Sequence, residues 1–456
     1  MKFNIKNIVR SASLMSLATL SLVACEDEPD KYEVAGGNPE VIYVCMPTNK
    51  DSLITSAFTN NRVVLIGNNL RSITKLFFND QEAVLNSSLI TDHALFVTVP
   101  RSLPNNPTDK IYMYNEDGNV TEYPFTVDIA APLLASMDCE YVAPGEVATI
   151  NGDYLLSYDN FPMVITMPDG TQITDFKSLS QTSVSFVVPD GCTQSGPITV
   201  TSKYGTSKST KFNFNDNRGI MADFNAGGGV SSNGKAPQGW NISATYSSEG
   251  GIAGCGEYCK LGDGTLETEG GWTENFKLPF WAGNWGGDPY GIAAGEAGTP
   301  FCNLIDFSDF QNMALKFELY IPKSNPWSAG AMQLVFANAS PAADKYAAGK
   351  AGIAANDTWQ NNDYIKLSAD GGGDICRGLY RPWETTGSFD TDDKWITVTV
   401  PFSEFVYNFD GTKGTRALQT EEDFATFVLW PIEGGVTGTA CKPIFRIDNI
   451  RAVPYK

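Results

Sequence analysis

Histidine is all but missing: the 456 residues contain one, His93. Nucleophilic sites of the Ser-His-Asp or Cys-His kind need an imidazole to take up a proton. His93 stands beside the apparent strand Ala94 to Val99, where it reads as a surface or strand-edge residue, so that chemistry has no credible base. Zinc ligation at the usual Cys/His spacing is also missing, because Cys255 and Cys259 have no second pair to match them. Positive charge is scarce, with 32 basic against 52 acidic residues and a net charge of −20. Phosphate backbones, anionic headgroups and acidic polysaccharides such as pectin are repelled by such a surface. A neutral ligand held by stacking and hydroxyl hydrogen bonds is not. Apolar runs long enough to span a bilayer are lacking, and so are convincing helices of four turns. Ala342 to Ala355 is alanine-rich, but Gly349 and Gly352 interrupt it.

Tryptophan is absent from the first half of the chain. All nine lie between Trp240 and Trp430, and the aromatic fraction of 12% is high for an acidic chain, which argues against disorder. An indole offers a flat apolar face with one N–H at its edge, as suited to the C–H face of a sugar as to a core. Function is therefore expected in the C-terminal half.

The N-terminus reads as a targeting segment. Lys2, Lys6 and Arg10 precede an apolar stretch from Leu14 to Ala24, the length of a signal-peptide core. It ends Leu22-Val23-Ala24-Cys25, which resembles a bacterial lipobox with Cys25 as the lipid attachment point. Glu26, Asp27, Glu28 and Asp30 follow and resemble the acidic export signal of surface lipoproteins of Bacteroidetes. Cleavage removes three positive charges and no negative ones. The other eight cysteines form an even number compatible with disulfides in an exported protein.

Residues 39–129 and 130–215 look like one β-rich unit duplicated. Val63 to Leu70 is echoed by Val147 to Leu155, and Leu95 to Pro100 by Val184 to Pro189, at offsets of 85 and 89 residues. A third echo pairs the hairpin from Ile111 to Val127, turning at Asp117-Gly118, with that from Ile198 to Phe214, turning at Tyr204-Gly205. Units of this length, with turn signals every eight to twelve positions, predict small antiparallel sandwiches. The Gly-x-x-Leu after a strand and the Val-Pro strand end resemble the IPT/TIG immunoglobulin-like family, whose modules usually act as spacers. Pro39, Pro132 and the stretch from Asn213 to Asn217 are the expected joints.

From residue 216 to 456 the chain is rich in Gly, Trp and Asn, with strands expected at Leu315 to Ile321, Ala331 to Ala337, Trp395 to Pro401, Thr426 to Trp430 and Phe445 to Ile450. The predicted fold is all-β: two tandem Ig-like sandwiches, then a larger jelly-roll-type β-sandwich. Alternation in Leu315 to Ile321 puts the odd positions in the core and Lys316, Glu318 and Tyr320 outward. Trp240 and Trp395 read as structural. Trp281, Trp285 and Tyr290, then Trp327, Trp359 with Tyr364, and Trp383 lie in Gly-, Pro- and Asn-rich loops. They are the expected sugar-stacking residues, in the order Trp285, Trp327, Trp281, then Trp359 and Trp383, with the two tyrosines last.

Lipobox, acidic tether, two IPT-like units and a Trp-rich sandwich, in that order, resemble the B-type surface glycan-binding proteins of Bacteroidetes polysaccharide-utilisation loci. Within the last domain, Ala329 to Phe336, Leu379 to Glu384, Lys394 to Pro401 and Phe445 to Ile450 are similar to that family's glycan-binding domain. The resemblance implies a non-catalytic, lipid-anchored outer-surface protein that presents a neutral polysaccharide, such as xyloglucan or mixed-linkage glucan, to a TonB-dependent transporter. Nucleic acid is not an expected partner. Two other classes compete. A jelly-roll endo-glycosidase needs two carboxylates flanking the sugar, with Glu318 and Glu433 as the least implausible pair. An adhesin working through its Ig-like units leaves the tryptophans unexplained. No cofactor is expected beyond a structural calcium at Asp370-Gly371-Gly372-Gly373-Asp374.

Overall fold

The structure is a computed structural model describing residues 36–225, 245–271, 274–280, 282, 291–294, 296, 298–337, 376–414, 418 and 420–456. Regular structure among these residues is all β-strand, apart from short 3-10 turns. The chain divides into two compact units between Ala130 and Ala131.

The first unit has two four-stranded sheets. One runs Asn49–Ile54, Glu40–Met46, Arg62–Asn68, Ala94–Thr98, and the other Gln81–Ala83, Lys75–Phe78, Lys110–Tyr114, Val120–Pro124. The second unit opens with a related plan: the three strands Leu133–Met137, Val147–Asp153, Ser183–Val187 repeat Glu40–Met46, Arg62–Asn68, Ala94–Thr98, the fourth, Ser178–Leu179, joins the edge opposite to that of Asn49–Ile54, and the second sheet recurs as Gln172–Ile173, Val164–Thr166, Thr199–Ser202, Gly205–Lys208. Alternation is kept position for position: Leu95 and Val97 point inward in one copy, Val184 and Phe186 in the other.

A shared bulge explains the Gly-x-x-Leu echo. Register slips between Val41 and Tyr43 opposite Gly67, and again between Leu134 and Ser136 opposite Gly152. A Cβ on Gly67 would stand 1.8 Å from the Glu40 carbonyl oxygen, and one on Gly152 1.8 Å from that of Leu133. Only glycine fits so close an approach of two backbones. Two residues on, Asn69 and Tyr154 both take left-handed backbone, with φ of 54° and 55°, turning the chain so that Leu70 and Leu155 drop into the core. The Gly67 and Leu70 amides donate to His93 and Asp92, as those of Gly152 and Leu155 do to Thr182 and Gln181.

The rest of the second unit is a larger sandwich. Its six-stranded sheet runs Thr245–Ser247, Tyr258–Leu261, Phe445–Pro454, Met313–Tyr320, Ile396–Pro401, with Ile220–Ala222 also paired to Phe445–Pro454. The facing sheet runs Leu278–Phe280, Thr426–Pro431, Met332–Ala337, Cys376–Tyr380. Between them lies a phenylalanine-rich core in which Phe307 stacks on Phe424 at 4.1 Å and Phe336 packs against Phe402, Phe405, Phe424 and Phe427.

Alternation in Met313–Tyr320 assigns faces correctly, but the face holding Lys316 and Glu318 is not exposed. Both side chains are buried, because the preceding Ig-like module sits on that side of the sheet. Its Glu140 pairs with Lys316 and, at 2.7 Å, with Arg451. Arg451 in turn grips Glu318 through Nη1 at 2.7 Å and Nη2 at 3.0 Å, and Thr397 Oγ1 donates to Glu318 at 2.8 Å. Backbone joins the same seam. The Thr397 amide donates to the Asp138 carbonyl at 2.7 Å, and the Glu140 amide to Thr397 Oγ1 at 2.7 Å. Ile252 of the large sandwich is buried within the core cluster of the Ig-like module. The expected joint at Asn213 to Asn217 is interior as well: Phe214 and Asp216 are fully buried, and the Tyr141 hydroxyl donates to the Asp216 carbonyl.

Removing one member of a buried ion network strands the others, at a cost of about 3–5 kcal/mol. Glu140→Ala in the chain from Glu26 onward is expected to lower stability by that amount in urea denaturation. Replacing the exposed Glu146 should change it by less than about 0.5 kcal/mol.

Asp448 lies in the same interior, where burial, reinforced by the charges of Glu318 and Asp223, pushes its carboxyl up to about 8. An unfolded aspartate titrates near about 3.9. Between these values the folded chain holds a proton that the unfolded chain has released, so stability falls as pH rises through the window. Asp448→Asn is expected to gain melting temperature over the wild type at pH 8.5 and to gain much less at pH 5. An equal gain at both would contradict the assignment.

Candidate functional site

The four-stranded sheet of the large sandwich organises the predicted site residues. Phe427 of its central strand pairs with Phe280 on one side and Phe336 on the other, and Phe336 pairs in turn with Cys376. One end of the sheet is thus defined by Phe280, Ala337 and Cys376. At the opposite end, Met332 pairs with both Pro431 and Tyr380.

That opposite end is closed by indoles, and two expected binding residues belong to the closure. Trp327 is fully buried, exchanging backbone hydrogen bonds with Phe389 at 2.8 Å. Its Nε1 donates to the Ala329 carbonyl at 2.6 Å, and its ring meets Phe445 edge-on at 5.3 Å. Trp383 is 5% exposed and donates to the Gly330 carbonyl at 3.0 Å. Both are therefore corrected from stacking platforms to plugs: a loop of small residues lets the ring fold back over the sandwich, where a carbonyl satisfies its N–H. Trp430 follows the same rule, buried with Nε1 on the Gly271 carbonyl at 2.7 Å. Trp395 is half-buried beside Tyr258 and Tyr320.

The other predicted residues, Trp281, Trp285, Tyr290, Trp359 and Tyr364, lie outside the described residues, as do Trp240, Cys25 and the proposed calcium loop at Asp370 to Asp374. Where the chain departs from the sheet is described. Phe280 immediately precedes Trp281, while Ala337 and Cys376 bracket the segment carrying Trp359 and Tyr364. These three points lie at the same end, with Phe280 and Phe336 two strand spacings apart, about 10 Å.

Sequence reasoning missed a buried polar pair on that sheet. Gln333 and Arg377 are fully buried, the guanidinium donating to the amide oxygen of Gln333, whose Nε2 reaches the carbonyls of Phe409 at 3.0 Å and Ile432 at 2.9 Å. The alternating run Met332 to Phe336 contains the signal, a lone Gln in an apolar strand. Glu318, one half of the carboxylate pair considered for hydrolysis, is held by Arg451 in the seam and has no access to a sugar. Glu433 is half-buried at the plugged end, its carboxyl raised by burial and by Glu269. Among the described residues no group of three or more His, Cys, Asp or Glu side chains can hold a metal ion, and the seven described cysteines with assigned side chains are free thiols.

Comparison with known proteins places this architecture. The family described as surface glycan-binding protein B xyloglucan binding domain matches residues 214–454. The chain belongs to the surface glycan-binding protein B family. The crystal structure of the family's PbSGBP-B from Prevotella bryantii is 35% identical, with a TM-score of 0.80 over 92% of this chain and 100% of that one. A structure of an SGBP-B from a complex xyloglucan utilization locus in Bacteroides uniformis is 14% identical with a TM-score of 0.42, covering 92% of this chain and 100% of that one. An IPT/TIG domain-containing protein of Bacteroides ovatus is 26% identical over 182 residues, 38% of this chain, and the match spans 36% of that relative's length.

If Trp327 and Trp383 are plugs, their loss acts on stability. Trp327→Ala and Trp383→Ala are each expected to cost about 3–5 kcal/mol in chemical denaturation, the usual range for a buried aromatic. A loss below about 1 kcal/mol would show that the ring is not part of the core.

Proposed function

We propose that this surface glycan-binding protein holds a neutral plant-type β-glucan, such as xyloglucan or mixed-linkage glucan, without cleaving it. One observation carries the reading. The two segments bearing Trp281, Trp285 and Tyr290 and bearing Trp359 and Tyr364 depart from the same end of one sheet, opposite the end that Trp327 and Trp383 plug. A glucan chain needs flat apolar faces and polar groups for its hydroxyls, and these segments carry in sequence the indoles, amides and carboxylates of that kind. The acidic surface, with its net charge of −20, favours an uncharged polymer over an acidic one.

In this reading Cys25 carries the lipid, the acidic stretch after it directs the chain to the outer face of the outer membrane, and the two Ig-like modules space the binding end from the membrane. Delivery is to a TonB-dependent transporter. The Prevotella bryantii relative is itself described as a surface glycan-binding protein, which supports the cell-surface placement.

The test is affinity electrophoresis of the chain from Glu26 onward in gels containing xyloglucan, barley mixed-linkage glucan, laminarin or mannan. Retardation is expected in at least one β-glucan, with no reducing-sugar release on prolonged incubation. Trp285→Ala and Trp281→Ala are each expected to weaken retardation by about tenfold or more in apparent Kd, as hot-spot aromatics do, with the melting temperature unchanged. Retardation unaffected by Trp281, Trp285 and Trp359 substitutions together would place the site elsewhere, and retardation by none of the four polymers would end the reading.

A further inference from the structure

We propose that the seam between the second Ig-like module and the large sandwich is a second saccharide-binding groove, separate from the tryptophan-bearing end of the sheet. This rests on the glycan-binding reading and extends it to a site built entirely from described residues. Two clefts of about 510 Å³ and 570 Å³ open along the seam and share Asp138, Lys394 and Trp395, so that together they form one groove with the indole at its middle. Each is within the size usual for a small-molecule site, and junctions between domains are where such sites concentrate.

Trp395 is held as a platform would be. Its Nε1 donates to the Gly250 carbonyl at 3.2 Å, Tyr258 and Tyr320 brace it at 5.5 and 5.6 Å and the core of the Ig-like module packs against it, yet it is only partly buried and lines both clefts. Of the four described tryptophans it alone is neither fully nor nearly buried. Along the groove from it runs Ile396–Pro401, the edge strand of the six-stranded sheet, which turns Thr397 and Thr399 toward the cleft. Tyr455 closes the same cleft. Trp395, just ahead of this strand, and Thr399 within it are four residues apart, about 13 Å in extended chain, the length of roughly two to three sugar rings.

Charge selects the ligand class. The larger set of cleft-lining residues includes three acids, Asp138, Glu140 and Asp392, and three bases, Lys211, Lys316 and Lys394. They balance in that cleft, and the neighbouring one adds Glu146 and Asp393 and no further base, so the groove repels an anionic ligand. The balanced charges are also already engaged: Glu140 with Lys316 and Arg451, Asp392 with Lys394 at 3.5 Å, Asp138 with Asn151 at 2.7 Å, and Lys211 over the Tyr455 ring at 5.3 Å. A charged peptide or phosphate would have to displace these partners. A neutral oligosaccharide stacks on the indole and exchanges hydroxyl hydrogen bonds with Thr399, Ser136 and Asn151.

Isothermal titration of the chain from Glu26 onward with cellohexaose and with xyloglucan heptasaccharide tests this. Three proteins are compared with the wild type: Trp395→Ala, Ser136→Arg, and the triple variant Trp281→Ala, Trp285→Ala, Trp359→Ala. Ser136 is exposed on the edge strand of the Ig-like module, so its Arg fills the mouth of the cleft without touching the core. The triple variant is expected to retain a weak binding event. Adding Trp395→Ala or Ser136→Arg to that triple variant is expected to abolish it, with the melting temperature of the Ser136→Arg protein unchanged. If the residual event is absent, or survives both added substitutions, the groove is not a sugar site while the principal reading stands. If the wild type takes up neither sugar and no β-glucan, the glycan-binding reading itself fails.

Discussion

The guanidinium of Arg451 cannot be hydrated where it sits, and the rest of the second unit is arranged around that fact. Burying a charge of this kind is tolerable only when partners of opposite sign and further hydrogen bonds surround it. One carboxylate, Glu318, comes from the neighbouring strand of the same sheet. The other, Glu140, comes from the preceding Ig-like module, which also answers the Lys316 ammonium. Neither the module nor the large sandwich is complete alone: a fragment beginning at residue 216 would leave Arg451 and Lys316 short of a counter-charge and bring the apolar side chain of Ile252 into water. The compact body is the whole of Ala131–Lys456.

Within that body the indoles divide into two kinds by where they meet a backbone carbonyl. Trp327, Trp383 and Trp430 each find one inside, at Ala329, Gly330 and Gly271, and become part of the packing. Trp395 finds its carbonyl, that of Gly250, in the seam, and there it is only partly buried between Tyr258, Tyr320 and the core of the Ig-like module. The sheet that supports the other tryptophan segments is meanwhile stiffened through its layers by Phe280, Phe427 and Phe336 and by the buried Gln333–Arg377 pair.

Much of the fold was legible from sequence because it rests on local rules. Period-two alternation located the strands at Met313–Tyr320, Met332–Ala337, Ile396–Pro401, Thr426–Pro431 and Phe445–Pro454 to within a few residues. The duplicated Gly-x-x-Leu marked a bulge that steric approach alone explains. What failed was longer in range. Alternation tells which residues share a face and nothing about what covers it, so Lys316 and Glu318 read as solvated until the module bearing Glu140 was seen against them. Loop context misled in the same way for Trp327 and Trp383: glycine, proline and serine around an indole permit both an exposed ring and one folded back under the sandwich, and the deciding carbonyls of Ala329 and Gly330 are set by tertiary geometry.

The bulge has a further consequence for how the two Ig-like copies diverged. In each, both ends of the excursion that follows the glycine are tied down by the same two amide bonds, Gly67 to His93 and Leu70 to Asp92 in one, Gly152 to Thr182 and Leu155 to Gln181 in the other. The excursion is four residues longer in the second copy and adds the short strand Ser178–Leu179, while the three shared strands of the first sheet keep their pairing. The glycine thus acts as a stitch that separates this difference in length from the strands the two copies share.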